Sequence, residues 1–178
     1  MQLVDLFSKG QTFGEFVADA GSKGEVFERN YRNTSLPSDL VQRFTEVAKE
    51  AGSLKVFALL EAWCPDAAEN VPPLAALAES IEQIELRCFV RSEHSQLNEI
   101  FRSKDVTHIP AVLFCDNDFI PLGTWEERPE IAHELVDRIK KLREEGAASS
   151  HLAKKLRNGY QSGHFRCCAL EEMLEAII

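Results

Sequence analysis

One cysteine stands where it could act as a nucleophile, directly after a run of apolar residues. Residues 61–67 read EAWCPDA and follow the apolar residues 56–60. If Cys64 lies at the first turn of a helix, the unpaired backbone amides favour its thiolate, which attacks disulfides. A carboxylate at Asp66 acts in the opposite sense by repelling a thiolate, so the sequence leaves the balance open. Position 67, where a dithiol enzyme would have its second cysteine, is alanine.

A reactive Cys64 without this second cysteine would need a resolving thiol from elsewhere. A mixed disulfide at Cys64 can be resolved by a small-molecule thiol, by a partner protein, or by the distant Cys167 or Cys168. A sensor would instead keep Cys64 thiolated or sulfenylated until it is reduced. Two simpler interpretations remain open: Cys64 as a small buried hydrophobe, and the adjacent pair Cys167–Cys168 as helix-packing residues.

Three further side chains are candidates for the same site. His108, two residues before Pro110, could form a Cys–His pair or a metal site with Cys64, or lie on a loop beside it. Glu61 could accept a proton, point to solvent or cap a neighbouring segment. Trp63 could shield the thiol and offer contact surface, or only pack. The single run His164-x-x-Cys167-Cys168 is a weak metal signal, so we expect neither a metal nor a cofactor.

The spacing of apolar residues predicts the elements that must position these side chains. Residues 1–52 read as helices, with Thr12 as a cap and Phe27 and Tyr31 one turn apart. Short apolar runs that follow read as strands in which Cys88 and Cys115 are core residues. The predicted strands cover residues 56–60, 86–90, 110–114 and 119–122, and the predicted helices cover residues 67–80, 95–102 and 129–145.

The resulting order β-α-β-α-β-β-α predicts an α/β domain. We expect parallel strands joined by right-handed crossovers and closed by an antiparallel hairpin turning at residues 116–118. Pro121 cannot donate to a ladder, so its strand should lie at an edge or contain a bulge. The chain would form one compact domain with three parts: a helical N-terminal extension at 1–52, the core at 53–146 and a C-terminal helical tail at 147–178.

With Trp63-Cys64-Pro65 at the end of the first strand, this order resembles the thioredoxin superfamily. Pro72 lies eight residues after Cys64, where the family has a proline that kinks the active-site helix. Ile109-Pro110 opens the third strand, where the family keeps a cis-proline facing the active cysteine. The helical N-terminal arm and the Trp-Cys-x-Asp-Ala pattern further resemble a less characterised bacterial thioredoxin-like group.

This resemblance implies a thioredoxin-like fold, with a central mixed sheet flanked by helices, and a site at Cys64. Trp63, Pro65, Asp66, Ile109, Pro110 and His108 would support the site or line its substrate groove. The chain departs from the family at Ala67, which replaces the resolving cysteine, and at Ala58, where thioredoxins usually bury an aspartate. Because that aspartate helps move protons from the second thiol, the two losses belong together.

Three functions follow from this resemblance. The first is a monothiol oxidoreductase or redox-responsive thiol protein, in which an external thiol resolves mixed disulfides at Cys64. The alternative is a non-catalytic binding module that uses the groove beside Pro110. The third is a glutaredoxin-like site that holds an iron–sulfur cluster with a small thiol, for which we recognise no glutathione contacts.

Composition limits the partners and the compartment. The 178 residues have a formal net charge of −9, which argues against a nucleic-acid or anionic-membrane partner. No apolar run approaches 18 residues, and residues 1–6 show no signal-peptide pattern. Five cysteines do not suggest a secreted disulfide framework, so we expect a cytoplasmic protein. Its partners would be protein or small-molecule thiols and disulfides, and its oligomeric state stays open.

Overall fold

A four-stranded mixed sheet forms the centre of the molecule. The computed structural model describes residues 2–178, and its strands lie in the order β2-β1-β3-β4. β1 pairs in parallel with β2, β3 runs antiparallel to β1, and β4 runs antiparallel to β3. The strand bounds are β1 Leu54–Leu60, β2 Ile84–Val90, β3 Ala111–Cys115 and β4 Pro121–Glu126.

The direction of β3 corrects one expectation. A chain of parallel crossovers was predicted, but only the first crossover, from β1 to β2, connects parallel strands. β3 lies on the other side of β1 and runs against it, with Ala58 paired to Val112. β1 and β3 are buried on both faces, and such strands have the same apolar pattern whichever way they run, so periodicity could not reveal this direction.

Nine α-helices surround the sheet in the described part of the chain. Their bounds are α1 Leu3–Phe7, α2 Phe13–Asp19, α3 Gly24–Arg32, α4 Ser38–Glu50, α5 Pro65–Ser80, α6 Ser95–Arg102, α7 Glu130–Glu144, α8 Ser150–Gln161 and α9 His164–Glu175. Thr12 caps α2 as expected, since its side chain accepts a hydrogen bond from the Glu15 amide. The predicted tail therefore consists of two helices, α8 and α9, of which α8 had not been singled out. None of the helices among residues 2–178 has both the length and the apolar character that crossing a bilayer requires.

Alternation along the strands divides the core into two layers. On one face, Val56, Ala58 and Leu60 of β1 pack with α5 and with buried residues of α2, α3, α4 and α9. On the other face, Phe57 and Leu59 pack with α1 and α6. Successive strand residues point to opposite sides of a sheet, so a continuous apolar run is what burial on both faces requires. Cys88 and Cys115 are fully buried, as predicted.

The C-terminal tail occupies part of the sheet's α5 face. Leu170 and Met173 of α9 belong to the layer that contains α5, whereas Leu135 and Ile139 of α7 pack in a separate cluster with α8 and Phe165. The apolar residues of α7 therefore face the tail. The N-terminal helices α2 and α3 pack against α5 and the β2 side of the sheet.

The hairpin between β3 and β4 is longer than predicted. Asp116 accepts hydrogen bonds through Oδ1 from the amides of Asp118 and Ile120, which stabilises the turn. Phe119 has a φ of +62° and belongs to this turn, so β4 begins at Pro121 and not at residue 119. Pro121 lies on the edge strand beside a register shift at Cys115, as its missing amide donor predicted.

Candidate functional site around Cys64

Cys64 forms the N-terminal cap of α5, four residues after β1 ends. The Ala67 amide donates a hydrogen bond to Cys64 Sγ at 3.5 Å, and Pro65 is the first helical residue. A proline suits this position because its missing N–H would have no partner in the first turn. The thiol thus lies at the positive end of a 16-residue helix.

The loop before β3 places a second backbone group against the thiol. The Ile109–Pro110 peptide bond is cis, and Cys64 Sγ donates a hydrogen bond to the Ile109 carbonyl oxygen at 3.4 Å. Two residues 45 positions apart in the sequence therefore meet at the end of β1. Pro110 is buried and Ile109 is half-buried, so the backbone here forms one wall of the thiol's surroundings.

The surroundings of Cys64 favour the protonated thiol. Only 5% of Cys64 is exposed, and this burial is the largest influence, raising its pKa above the ordinary value. The Ala67 and Asp66 amides and the positive charge of Arg128 lower the pKa, whereas the Asp66 carboxylate raises it. The net pKa shift is upward. The sequence left open whether helix amides or opposing effects dominate, and here burial outweighs the amides.

Asp66 forms a two-pronged ion pair with an arginine from the loop after β4. Arg128 donates from Nε to Asp66 Oδ1 at 3.0 Å and from Nη2 to Oδ2 at 2.6 Å. The two side chains are 13% and 19% exposed, respectively, so solvent screens this pair weakly. Burial raises the pKa of the Asp66 carboxyl, and the guanidinium partly offsets that shift. Arg128 thereby balances the charge that faces Cys64.

Glu127 connects this ion pair to the cis-proline. Its amide donates to the Pro110 carbonyl oxygen at 2.7 Å, its own carbonyl accepts from Asn70 Nδ2 at 3.1 Å, and its carboxylate pairs with Arg128. Its φ of +64° is uncommon for a residue with a side chain and costs about 1–3 kcal/mol. The hydrogen bonds of its amide and carbonyl and the ion pair of its carboxylate hold Glu127 in this conformation.

Two residues of the cysteine motif face solvent. Trp63 is 64% exposed, the largest exposed aromatic surface in the described chain, and Pro65 is exposed as well. Trp63 therefore contributes little to packing in the free protein. Its position directly before Cys64 makes it contact surface for whatever approaches the thiol.

His108 and Glu61 have structural partners elsewhere. His108 is exposed, its amide donates to Glu126 Oε2 at 2.7 Å, and its ring Nδ1 lies 3.6 Å from the same oxygen. The hydrogen-bond partners of Cys64 are Ile109 and Ala67, so the structure does not assemble a Cys64–His108 pair. Glu61 is buried and accepts a hydrogen bond from the Ser92 amide at 2.8 Å, which is the capping role.

Cys167 and Cys168 are not brought to Cys64. Cys167 lines the same cavity as Pro73, which is nine residues along α5 from Cys64, or about 13 Å at the helical rise. Cys168 Sγ lies 4.0 Å from the His164 ring nitrogens. A resolving role would require α9 to move. Within residues 2–178, no group of three or more His, Cys, Asp or Glu side chains is arranged to hold a metal ion.

Sequence reasoning missed Glu127, Arg128 and Asn70. Glu126, Glu127 and Arg128 form a charged run at the end of β4, and such a run ordinarily indicates a solvated loop. Asn70 sits in the middle of an amphipathic helix and is fully buried. Their contacts join positions 57 and 62 residues apart, and no local pattern reports such pairings.

Comparison with known proteins agrees with this architecture. The family model described as thioredoxin matches residues 10–143. A crystal structure of an HIV epitope-scaffold protein is 21% identical with a TM-score of 0.72, covering 98% of this chain and 96% of its own. A Pseudomonas aeruginosa protein of unknown function is 22% identical with a TM-score of 0.71 and the same coverage. No curated protein matches. These two structures support the fold, and the family match over most of the length shows that the chain belongs to the thioredoxin family.

Proposed function

We propose that the protein is a monothiol thiol–disulfide exchange protein with Cys64 as its nucleophile. Its partners would be protein or small-molecule disulfides and thiols. The observation that supports this proposal is the position of Cys64 Sγ, at the amide end of α5 and 3.4 Å from the carbonyl that precedes the cis bond to Pro110. A bound disulfide would approach past the exposed Trp63.

The exchange proceeds in two balanced steps. The Cys64 thiol loses its proton to solvent, and the thiolate attacks one sulfur of a disulfide R–S–S–R′. The S–S bond breaks, Cys64–S–S–R forms, and R′S⁻ leaves and takes up a proton. A second external thiol then attacks the mixed disulfide, regenerates Cys64 and carries R away as a new disulfide. Because position 67 is alanine, no thiol within the motif competes for the second step.

The raised pKa of Cys64 limits the rate of this reaction. At pH 7 little of the thiol is ionised, so we expect exchange slower than that of a dithiol thioredoxin and faster as the pH rises. A thiolate of higher pKa is intrinsically more nucleophilic, which compensates in part.

The test is trapping of the mixed disulfide. We expect oxidised glutathione at pH 8 to add one glutathionyl group to Cys64, detected by mass spectrometry of the intact protein. The Cys167→Ser/Cys168→Ser protein serves as the background, because these half-exposed thiols are the other accessible ones. In that background Cys64→Ser should remove the adduct. An adduct that persists without Cys64, or none at all above pH 9, would contradict the proposal.

The burial of Cys64 favours a second candidate, a binding module that uses the groove beside Pro110. In this function Trp63 and the backbone at Ile109 contact an extended segment, and the thiol is only part of the wall. Capture of a partner that is equal for the native protein and for Cys64→Ser, and insensitive to reducing agents, would favour this candidate. Capture that requires Cys64 and is released by dithiothreitol favours exchange.

A further inference from the structure

A large cavity lies beside the cysteine motif. It has a volume of about 760 Å³ and opens between α3, the first turns of α5, and the tail helices α8 and α9. Pro65 and Asp66 contribute to its wall, but Cys64 does not line it. The two segments outside the predicted core at residues 53–146 therefore build most of this cavity.

Arginines dominate the charge of the cavity. Four of them line it, against two carboxylates from Asp66 and Glu69. This excess of positive charge in the cavity contrasts with the net charge of −9 of the whole chain. The arginines come from three helices and one loop, and they are Arg29, Arg128, Arg157 and Arg166.

Only two of these arginines are neutralised by protein carboxylates. Arg128 pairs with Asp66 and Glu127, and Arg166 pairs with Glu69. Arg29 on α3 and Arg157 on α8 are exposed, and among residues 2–178 neither forms an ion pair. Two exposed cationic side chains thus flank the cavity without an anionic partner among the described residues.

The cavity also contains a buried hydroxyl that lacks a hydrogen bond. Tyr160 is 8% exposed and lines the cavity, and its hydroxyl has no partner in the described chain. The fully buried Asn70 lies close enough to lower the Tyr160 pKa, yet its Oδ1 forms no hydrogen bond of normal geometry either. A buried polar group left without a partner is unfavourable, and a ligand that pairs with it would remove that cost. Burial raises the Tyr160 pKa overall, so the hydroxyl is a neutral donor at pH 7.

We propose that this cavity binds a small molecule through an oxyanion, either a phosphate or a carboxylate. Arg29 and Arg157 would supply the charge from opposite sides, and a guanidinium fork matches both groups. The Tyr160 hydroxyl has almost no accessible surface in the free protein, so it would donate a hydrogen bond to the ligand after the side chains that cover it shift. The volume lies within the range of small-molecule sites. Neither the arginines nor the hydroxyl belong to the exchange chemistry of Cys64, so this site stands independently of it.

The test is calorimetric titration of the full chain with inorganic phosphate and, separately, with succinate, at constant ionic strength because salt screens exposed charges. We expect saturable binding of at least one of them with one site per chain. Binding of phosphate alone assigns a phosphate ligand, and binding of succinate assigns a carboxylate. A site with a dissociation constant of about 1 mM corresponds to roughly −4 kcal/mol. If neither phosphate nor succinate binds at concentrations up to about tenfold above that constant, the proposal is overturned.

Two double variants distinguish a specific binding site from general electrostatic attraction of anions. Arg29→Gln/Arg157→Gln should weaken binding at least tenfold. Arg43→Gln/Arg138→Gln removes the same charge from exposed positions outside the cavity and should leave binding unchanged. Equal weakening in both double variants would overturn the proposal.

Two single variants complete the test. Tyr160→Phe should weaken binding several-fold without loss of the fold, and unchanged affinity would remove the hydroxyl from the site. Cys64→Ser should bind like the native protein, since Cys64 does not line the cavity. A failure of thiol exchange would therefore leave this result untouched, and a failure of anion binding would leave the exchange proposal untouched.

Discussion

The reactivity of Cys64 depends on a balance between burial, helix amides and two nearby charges. Burial dominates and keeps the thiol protonated, while Arg128 and the first-turn amides act against it. Asp66 acts with burial, but Arg128 holds its carboxylate in a two-pronged pair. The pair therefore tunes the thiol without contacting it. For the proposed exchange function, low reactivity of the free protein would be an advantage, since a largely protonated thiol is poorly attacked by oxidants.

Removing the charge of Asp66 and removing the charge of Arg128 should change the reactivity of Cys64 in opposite directions. Asp66→Asn removes the negative charge and should lower the Cys64 pKa, whereas Arg128→Gln should raise it. At pH 8 we expect iodoacetamide alkylation about threefold to tenfold faster in the first variant and slower in the second. The measurement is the alkylation rate from pH 7 to 10 in the Cys167→Ser/Cys168→Ser background.

Asp137→Asn on α7 is the matched control, because Asp137 is exposed and distant in sequence from the motif. It should leave the alkylation profile unchanged. Shifts of the same sign for Asp66→Asn and Arg128→Gln would show that the variants act by disturbing the fold and not by charge.

Among the elements, β4 and the end of α9 approach one another closely at Gly123. A Cβ added there would lie 1.9 Å from the Ala176 carbonyl oxygen, so Gly123→Ala must displace the end of the tail. We expect a loss of about 1–3 kcal/mol in the free energy of unfolding, measured by urea denaturation. Gly14→Ala on α2 meets no atom within 4 Å and should be neutral or stabilising by up to about 1 kcal/mol. Equal stability of the two variants would contradict the packing of α9 on β4.

A half-buried ion pair joins α9 to α5. Arg166 donates from Nε to Glu69 Oε2 at 3.1 Å, and the two side chains are 10% and 29% exposed. Glu69→Gln leaves a mostly buried guanidinium without a counter-charge and should cost about 1–2 kcal/mol, less than a fully buried pair because Glu69 is partly solvated.

The control for this ion pair is Glu28→Gln, which breaks the exposed pair with Arg32 on α3. Because solvent screens that pair, its loss should cost less than about 0.5 kcal/mol in the same urea denaturation. A Glu69→Gln protein as stable as the Glu28→Gln protein would show that the link between α9 and α5 does not depend on this pair.

For the molecule as a whole, buried thiols predict loss of stability in alkali. Burial raises the pKa of Cys88 and of Cys115 to about 12, above that of an unfolded cysteine. A group with a raised folded-state pKa contributes stability below its unfolded pKa, and that contribution disappears as the pH rises toward the folded value. Each thiol should therefore steepen the fall in unfolding free energy between pH 9 and 11 by up to about 1.4 kcal/mol per pH unit.

The comparison of Cys88→Ala with the native protein isolates this effect, because all other titrating groups are shared. We expect the curve of unfolding free energy against pH to be flatter for Cys88→Ala, whatever the constant cost of the missing side chain. Cys168→Ala, which removes a half-exposed thiol, should flatten the curve less. Parallel curves for Cys88→Ala and the native protein would contradict burial of that thiol in the core.

Most of the secondary structure could be predicted from the sequence because the relevant signals are local. Apolar runs and helical spacing located four strands and most helices, and Thr12 and Pro121 marked a cap and an edge strand. The order of elements with Trp63-Cys64-Pro65 indicated the thioredoxin family, to which the chain belongs. The narrower likeness to a bacterial group stays a prediction.

By itself, then, the sequence determined the fold class, the cysteine at the tip of a helix and the absence of a second thiol beside it. Only the tertiary structure decided the direction of β3, the upward shift of the Cys64 pKa by burial and the arginine-lined cavity. The reason is that burial and charge at a site depend on residues far away in the chain, such as Arg128, 62 positions from the Asp66 that it pairs with. Periodicity reports how a segment faces the core, and carries no information on which distant groups desolvate or neutralise it.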